Sequence, residues 1–304
     1  MSAPAATVHD VTMRFRDHTA LDGISTAIEQ DGITGLLGRN GAGKTTLMQL
    51  LTGHRVPTGG GIEVFGARPY ENDDVLRRIC FIKEGQRYPD HFRVRDALDA
   101  AALVFPDWDA DTAATLLRDF ELPAKRPIKK LSRGMNSAVG IIIGLASRAR
   151  LTLFDEPYAG LDVVARHLFY DRLLADYAER PRTIVISTHL IEEISDLLER
   201  VLLIDRGRLL LDTDAESVRS SAVTVRGPRE HVRAFAARHE LLHEQTLAGS
   251  GRAVVRLRAG GESPETFGLT AAPTDLQELV VAMSLATAEH HTRTPTDDLE
   301  EVPR

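Results

Sequence analysis

Residues 33–51 carry the most restrictive pattern in the chain. An apolar run, Ile33-Thr34-Gly35-Leu36-Leu37, is followed by Gly38-Arg39-Asn40-Gly41-Ala42-Gly43-Lys44-Thr45 and then by Leu47, Leu50 and Leu51 at helical spacing. An unbroken apolar run ahead of a helix reads as a strand buried on both faces, as in a parallel sheet covered by helices. The eight residues between match G-x-x-x-x-G-K-[ST] in full. Glycines let the backbone curl until successive N–H groups converge, and the helix that follows adds the positive end of its dipole. Such a loop cradles phosphate oxygens. Lys44 is placed to reach β- and γ-phosphates, and the Thr45 hydroxyl to ligate Mg²⁺. Arg39, Asn40, Ala42 and Thr46 complete the loop and first helical turn. They are expected to bind nucleotide together with Gly38, Gly41, Gly43, Lys44 and Thr45.

The remaining segments supply the sheet around this loop. Val8–Phe15 and Ala20–Ile28 read as strands; Gly53, Pro57 and Gly59-Gly60-Gly61 break the chain before another at Ile62–Phe65. Residues 94–149 are helical, one face carrying Val94, Ala97, Leu98, Ala101 and Ala102. Apolar strands at Leu151–Phe154, Thr183–Ile186 and Val201–Ile204 then alternate with helices at Val163–Ala178 and Ile191–Leu198, the order of an α/β parallel sheet. Arg206-Gly207 turns the chain into Leu209-Leu210-Leu211, a closing hairpin. Beyond Asp214, short alternating runs and helical stretches predict a small α+β accessory domain over 214–289, with a split βαβ. Thr274-Asp275-Leu276-Gln277 is a capping box opening its last helix. Residues 290–304 read as a polar, disordered tail, and the His290-His291 pair as solvated rather than metal-binding.

Composition narrows the function. Hydrophobic residues at 43% and charged residues at 27% fit a soluble globular protein of two or three domains. Lys+Arg at 37 against Asp+Glu at 44 leaves a net charge of −7, which argues against nucleic acid as a partner. Cys80 is the only cysteine, so no intrachain disulfide or thiolate zinc site is expected, and it reads as a buried strand residue. Trp108 reads as a packing aromatic and Lys125–Lys130 as a solvated turn. No stretch approaches the ~18 apolar residues of a spanning helix, and MSAPAATVHD lacks the pattern of a secretory signal. The expectation is a soluble, intracellular chain. Leu151-Thr152-Leu153-Phe154-Asp155-Glu156 ends an apolar strand in two acids. Beside a phosphate loop, Asp155 is placed to hold Mg²⁺ and Glu156 to polarise a water in line with the γ-phosphate.

Further segments follow in a fixed order. Leu131-Ser132-Arg133-Gly134-Met135 precedes the Asp155 strand, Ala159-Gly160-Leu161-Asp162 follows it, and Ser187-Thr188-His189 ends the next strand. With the phosphate loop and Phe15, these resemble the motifs of ATP-binding-cassette (ABC) ATPases, over about Thr7 to Asp212. The first is similar to the family's signature loop, the second to its D-loop, and His189 to its switch histidine. Phe15 sits where an adenine-stacking aromatic would lie. The resemblance implies a P-loop NTPase (ABC ATPase) fold in residues 1–213: a parallel α/β core, an antiparallel β subdomain, and a helical subdomain at about 90–149. Ser132 is placed to cap a helix through Ala138, Ile141, Ile142 and Leu145 while Gly134 keeps its first turn bare, which makes an anion site. The family's geometry implies that Ser132 and Gly134 serve the nucleotide of a second cassette, in a homodimer or heterodimer, and the resemblance places Asp162 among the nucleotide-binding residues.

Two positions depart from the family pattern. Arg133 replaces the usual glycine and Met135 the usual glutamine. In Phe81-Ile82-Lys83-Glu84-Gly85-Gln86, Glu84 aligns with the Q-loop glutamine that approaches Mg²⁺, while Gln86 lies two residues on; either could serve. The resemblance implies an ATP- and Mg²⁺-dependent ATPase with Glu156 and His189 as catalytic residues. It would drive a separate transmembrane permease from the inner face of the cell membrane, as a cytoplasmic, peripheral subunit. Ala272–Leu279 is similar to the ends of bacterial exporter ATPases, which favours export. The alternative is a soluble cassette ATPase acting on ribosomes or DNA; it lacks the tandem cassettes, basic linker or long coiled coil such proteins carry.

Overall fold

The computed structural model describes residues 3–247, 249–258 and 262–292. The chain divides into two units, Met1–Asp214 and Ala215–Arg304.

In the first unit, β1 (Ala6–Phe15), β2 (His18–Ile28), β3 (Ile33–Leu37), α1 (Lys44–Leu51), β4 (Gly59–Val64), α2 (Asp73–Leu76) and β5 (Ile79–Ile82) come first. Then follow α3 (Val94–Val104), α4 (Ala110–Asp119), α5 (Arg133–Ala146), β6 (Leu151–Asp155), α6 (Val163–Glu179), β7 (Thr183–Thr188), α7 (Ile191–Ile194), β8 (Arg200–Asp205) and β9 (Arg208–Asp214). The main sheet runs β5-β6-β7-β3-β8-β9, parallel except for β9. Every residue of β3, β6 and β7 is buried, which explains their unbroken apolar character. β9 returns through Arg206 and Gly207, both at positive φ (47° and 78°) as a two-residue hairpin turn requires. The register pairs Leu37 with Thr188 and Asp155 with Ser187, so β3, β6 and β7 end at one level. That level is the carboxyl edge where α/β sheets bind ligands.

A second, antiparallel sheet, β2-β1-β4, packs its apolar face into a core shared with α1 and the main sheet. β4 starts at Gly59, so the triple glycine read as a chain break is strand. Gly60 has φ +75°, and a Cβ there would lie 2.2 Å from the Asp10 carbonyl oxygen. Glycine is needed because β1 shifts register between His9 and Thr12 and its backbone crowds this point.

Among the helices, Val94, Ala97, Leu98 and Ala101 of α3 are buried as expected, whereas Ala102 is exposed. α5 lies directly on the main sheet through two glycines. A Cβ on Gly144 would approach the Phe154 ring to 2.4 Å, and one on Gly140 would approach Ile82 to 2.8 Å. Gly144→Ala should therefore destabilise the chain by about 1–3 kcal/mol through overpacking. In urea unfolding the midpoint should fall with the slope unchanged. Arg148 and Arg182 both pair with Asp176 of α6, and Arg148 also reaches Asp109, the cap of α4, at 2.9 Å. Cys80 is buried and Trp108 half-buried.

The second unit contains α8 (Ala215–Ser221), β10 (Ala222–Pro228), α9 (Arg229–Ala236), β11 (Glu240–Leu247), β12 (Ser250–Arg256), β13 (Thr270–Pro273) and α10 (Leu276–Thr292). Its antiparallel sheet runs β11-β12-β10-β13, with β12 between the two strands that α9 connects. Thr274 is not the cap of α10. Asp275 accepts from the Glu278 amide at 2.6 Å, while the Thr274 hydroxyl pairs with Thr224 at 3.1 Å. α10 continues through Thr292, three residues into the stretch read as tail. Residues 293–304 and the side chains of His290 and His291 lie outside the described residues.

Candidate active site

The phosphate loop joins β3 to α1 with Gly38, Gly41 and Gly43 all at positive φ (145°, 80° and 114°). Two of these glycines are also dictated by space. A Cβ on Gly38 would meet the Ile204 carbonyl at 2.1 Å, and one on Gly43 the Ala20 carbonyl at 2.7 Å. Lys44 is buried and folds back over the loop, its Nζ donating to the carbonyls of Gly38 (2.7 Å) and Arg39 (3.3 Å). Burial lowers its pKa, and the nearby Glu156 and Asp155 carboxylates oppose that effect.

Asp155, at the end of β6, is buried between two hydroxyls. Its Oδ2 accepts from Thr45 at 2.7 Å and its Oδ1 from Ser187 at 2.6 Å. Thr45 and Asp155 thus converge as hard oxygen donors of the type Mg²⁺ selects. Among the described residues no group of three His, Cys, Asp or Glu side chains could hold a metal. A pair of protein oxygens fits Mg²⁺, which takes its remaining ligands from phosphate and water.

Glu156 follows with a left-handed backbone (φ 49°), its amide facing Ser187. Its Oε2 accepts from the Tyr158 hydroxyl at 2.6 Å and lies 2.7 Å from His189 Nδ1. Its Oε1 is buried without a hydrogen-bond partner, 3.8 Å from Lys44 Nζ. A carboxylate only accepts, so Nδ1 of His189 carries the hydrogen. The His189 ring is otherwise half-exposed.

A cavity of about 390 Å³ opens over the loop, lined by residues 39–46, Glu84, Asp155, Glu156, Phe15, His18 and Ala20. Phe15 therefore sits with the loop, and the Arg55 guanidinium lies 4.7 Å from its ring centroid. His18 and Ala20 were not anticipated; they follow from the β1–β2 hairpin, which pairs His18 with Phe15. An adjoining cavity holds Asn40, Glu84, Arg133, Glu156, Tyr158, Gly160 and His189.

Ser132 caps α5, accepting from the Met135 amide at 3.2 Å, and Asp162 caps α6, accepting from Ala165 at 2.8 Å. Neither they nor Gly134 line the cavity over this chain's own phosphate loop. Gly134 is buried: a Cβ would meet the Gly160 carbonyl at 2.3 Å. Its bareness is explained within this chain by the close approach of the loop at 160, not by an open anion pocket.

The two departures from the family pattern meet each other. Arg133 Nη2 donates to Glu84 Oε1 at 2.5 Å. Glu84 lines the cavity, and its carboxylate is held by Arg133 rather than joined to Thr45 and Asp155. Both side chains are substantially exposed, so the pair stabilises the fold by at most about 1 kcal/mol. Gln86 lines neither cavity; its side chain accepts from the Lys83 amide.

Comparison with known proteins agrees with this geometry. Residues 21–159 match the model of the ABC transporter family. Over 204 residues the chain is 33% identical to the bacitracin transport ATP-binding protein BcrA of Bacillus licheniformis, covering 66% of this chain and 67% of that one. Over 260 residues it is 30% identical to the Nod factor export ATP-binding protein I of Burkholderia thailandensis, covering 80% and 85%. A solved ATP-binding subunit of an ABC transporter superposes with a TM-score of 0.64 at 23% identity, over 71% of this chain and 92% of that chain. A dimeric bacterial ABC transporter cassette gives 0.62 at 19% identity, over 69% and 98%. With the loop, the two acids and His189 gathered at one sheet edge, and with relatives this similar over most of their length, the chain belongs to the ATP-binding proteins of ABC transporters.

Proposed function

We propose that this chain hydrolyses ATP as one of two facing cassettes and drives a separate membrane permease, in the direction of export. The convergence of Lys44, Thr45, Asp155 and Glu156 at one sheet edge carries the reading. The loop amides and Lys44 bind the β- and γ-phosphates, and Phe15 stacks the adenine. Thr45 and Asp155 would hold Mg²⁺, which when bound neutralises phosphate charge. Of the two Q-loop candidates, Glu84 is the one beside the nucleotide cavity.

Glu156 acts as the general base, taking a proton from the water that attacks the γ-phosphorus. With Nδ1–H committed to Glu156, His189 orients the Glu156 carboxylate. Ser132 and Gly134 lie away from the chain's own loop, which supports their serving a second cassette's ATP. Among the described residues no helix is long and apolar enough to cross a membrane, which supports a pore built by another polypeptide. The Nod-factor-export relative favours export.

The direct test is ATP-dependent co-purification and vesicle transport with a candidate six-helix membrane protein; ATPase activity that no membrane partner stimulates would count against the reading. His189→Ala should lower kcat at least tenfold, as positioning and acid–base roles are worth about 10²–10⁴. Equilibrium nucleotide affinity should stay within a few-fold. An unchanged kcat would make the histidine structural.

A further inference from the structure

A short chain of hydrogen bonds runs through Tyr158, which lies between the recognised motifs, and ends on Glu156. The Leu190 amide donates to Thr188 Oγ1 at 2.8 Å, Thr188 bonds the Tyr158 hydroxyl, and Tyr158 donates to Glu156 Oε2 at 2.6 Å. The His189 amide also donates to the Tyr158 oxygen, at 3.2 Å. A phenol has one hydrogen. Since it goes to the carboxylate, Thr188 and the His189 amide must both donate to Tyr158. All these donors point toward Glu156, an arrangement in which each bond polarises the next.

We propose that Tyr158 is a positioning residue for hydrolysis: it clamps Oε2 of Glu156 and thereby presents Oε1 as the oxygen that takes the proton from water. The inference rests on the ATPase reading above and deepens it. In the step itself, the water oxygen forms a bond to the γ-phosphorus as the bond to the β–γ bridging oxygen breaks. The water proton passes to Oε1 and ADP leaves with the former bonding pair.

Three further observations support it. Oε2 receives Tyr158 and His189, whereas Oε1 is buried with no hydrogen-bond partner among the described residues and lies 3.8 Å from the Lys44 ammonium. A buried acceptor without a hydrogen bond requires a reason, and one poised for a proton supplies it. Glu156 is held at φ 49°, a left-handed conformation that is unfavourable for a non-glycine residue and is retained where the surroundings impose it. Tyr158 itself is only 3% exposed, and burial together with the Glu156 charge pushes its pKa well above the usual phenol value. It therefore remains a donor throughout the working pH range. Phenylalanine would fill the same volume, so the hydroxyl is there for its bonds.

The test is Tyr158→Phe in the full chain, comparing kcat, equilibrium ATP affinity, thermal unfolding and the Mg-ATP-dependent dimer on size exclusion. The expected result is a 10- to 100-fold loss of kcat, in line with the cost of a misplaced reacting group. ATP affinity should stay within threefold, Tm within a few degrees, and the Mg-ATP dimer should persist longer than in the parent. A kcat within twofold of the parent would overturn the proposal. So would a loss of kcat accompanied by loss of ATP affinity and of Tm, which would mark Tyr158 as a structural residue. Failure of the parent itself to hydrolyse ATP would overturn the ATPase reading as well, and is read from the parent alone.

Discussion

Glu156→Gln should bind ATP with nearly the parent's affinity and hydrolyse it on the order of 10³-fold more slowly. General-base catalysis is typically worth about 10²–10⁴ in rate, and glutamine keeps the shape of the side chain while losing the proton acceptor. The structure makes the substitution unusually clean. Oε2 already receives hydrogen bonds from Tyr158 and His189, so the amide carbonyl can take that place without repacking. The amide nitrogen then falls where Oε1 faces Lys44, 3.8 Å away. That replaces an attraction by a weak repulsion at a buried site, a cost that bound phosphate offsets by taking over Lys44. With turnover blocked, two cassettes should remain closed on unhydrolysed ATP. Size exclusion with Mg-ATP should show a dimer that disappears without nucleotide. A strictly monomeric profile, with parent ATPase intact, would count against a shared site.

What was legible in the sequence shares one physical property: the signal was local. Ile33–Leu37 and Leu151–Asp155 are buried on both faces, so their composition alone announces a central parallel strand. The phosphate loop was legible because its glycines obey backbone sterics that no other residue meets. Ser132 was legible as a helix cap because a cap is a matter of three residues. What stayed hidden depended on partners distant in sequence. Gly59–Gly61 looked like a break because nothing local shows that β1 crowds Gly60. β11 carries no clear alternation because Glu240–Leu247 mixes charged and polar residues into an edge strand. Arg133 and Glu84 looked like two unrelated departures, yet lie 2.5 Å apart across 49 residues of chain. Tyr158 falls between two motifs, and only the fold brings its hydroxyl to Glu156 and Thr188.

Lys44→Ala should abolish tight nucleotide binding, with a loss of at least 100-fold, equivalent to about 2.7 kcal/mol. Three losses combine. First, the β- and γ-phosphates lose a cation at a buried position, where screening by water is weak and charge–charge attraction is strong. Second, Asp155 and Glu156 lose the positive charge that faces them, and their uncompensated carboxylates repel the incoming phosphates. Third, Nζ no longer ties together the carbonyls of Gly38 and Arg39, so the loop loses the brace that keeps its amides turned toward the ligand. The charge-conserving variant separates these effects. Lys44→Arg retains the positive charge, but a planar, bulkier guanidinium cannot occupy the space of a compact ammonium against two carbonyls. If charge alone mattered, arginine would restore affinity; if the brace and the fit matter, it should recover little. Equilibrium titration with a fluorescent nucleotide decides between them. The expected order is parent far above Lys44→Arg, with Lys44→Ala weakest, and parent-like binding in Lys44→Ala would remove the loop from the nucleotide site.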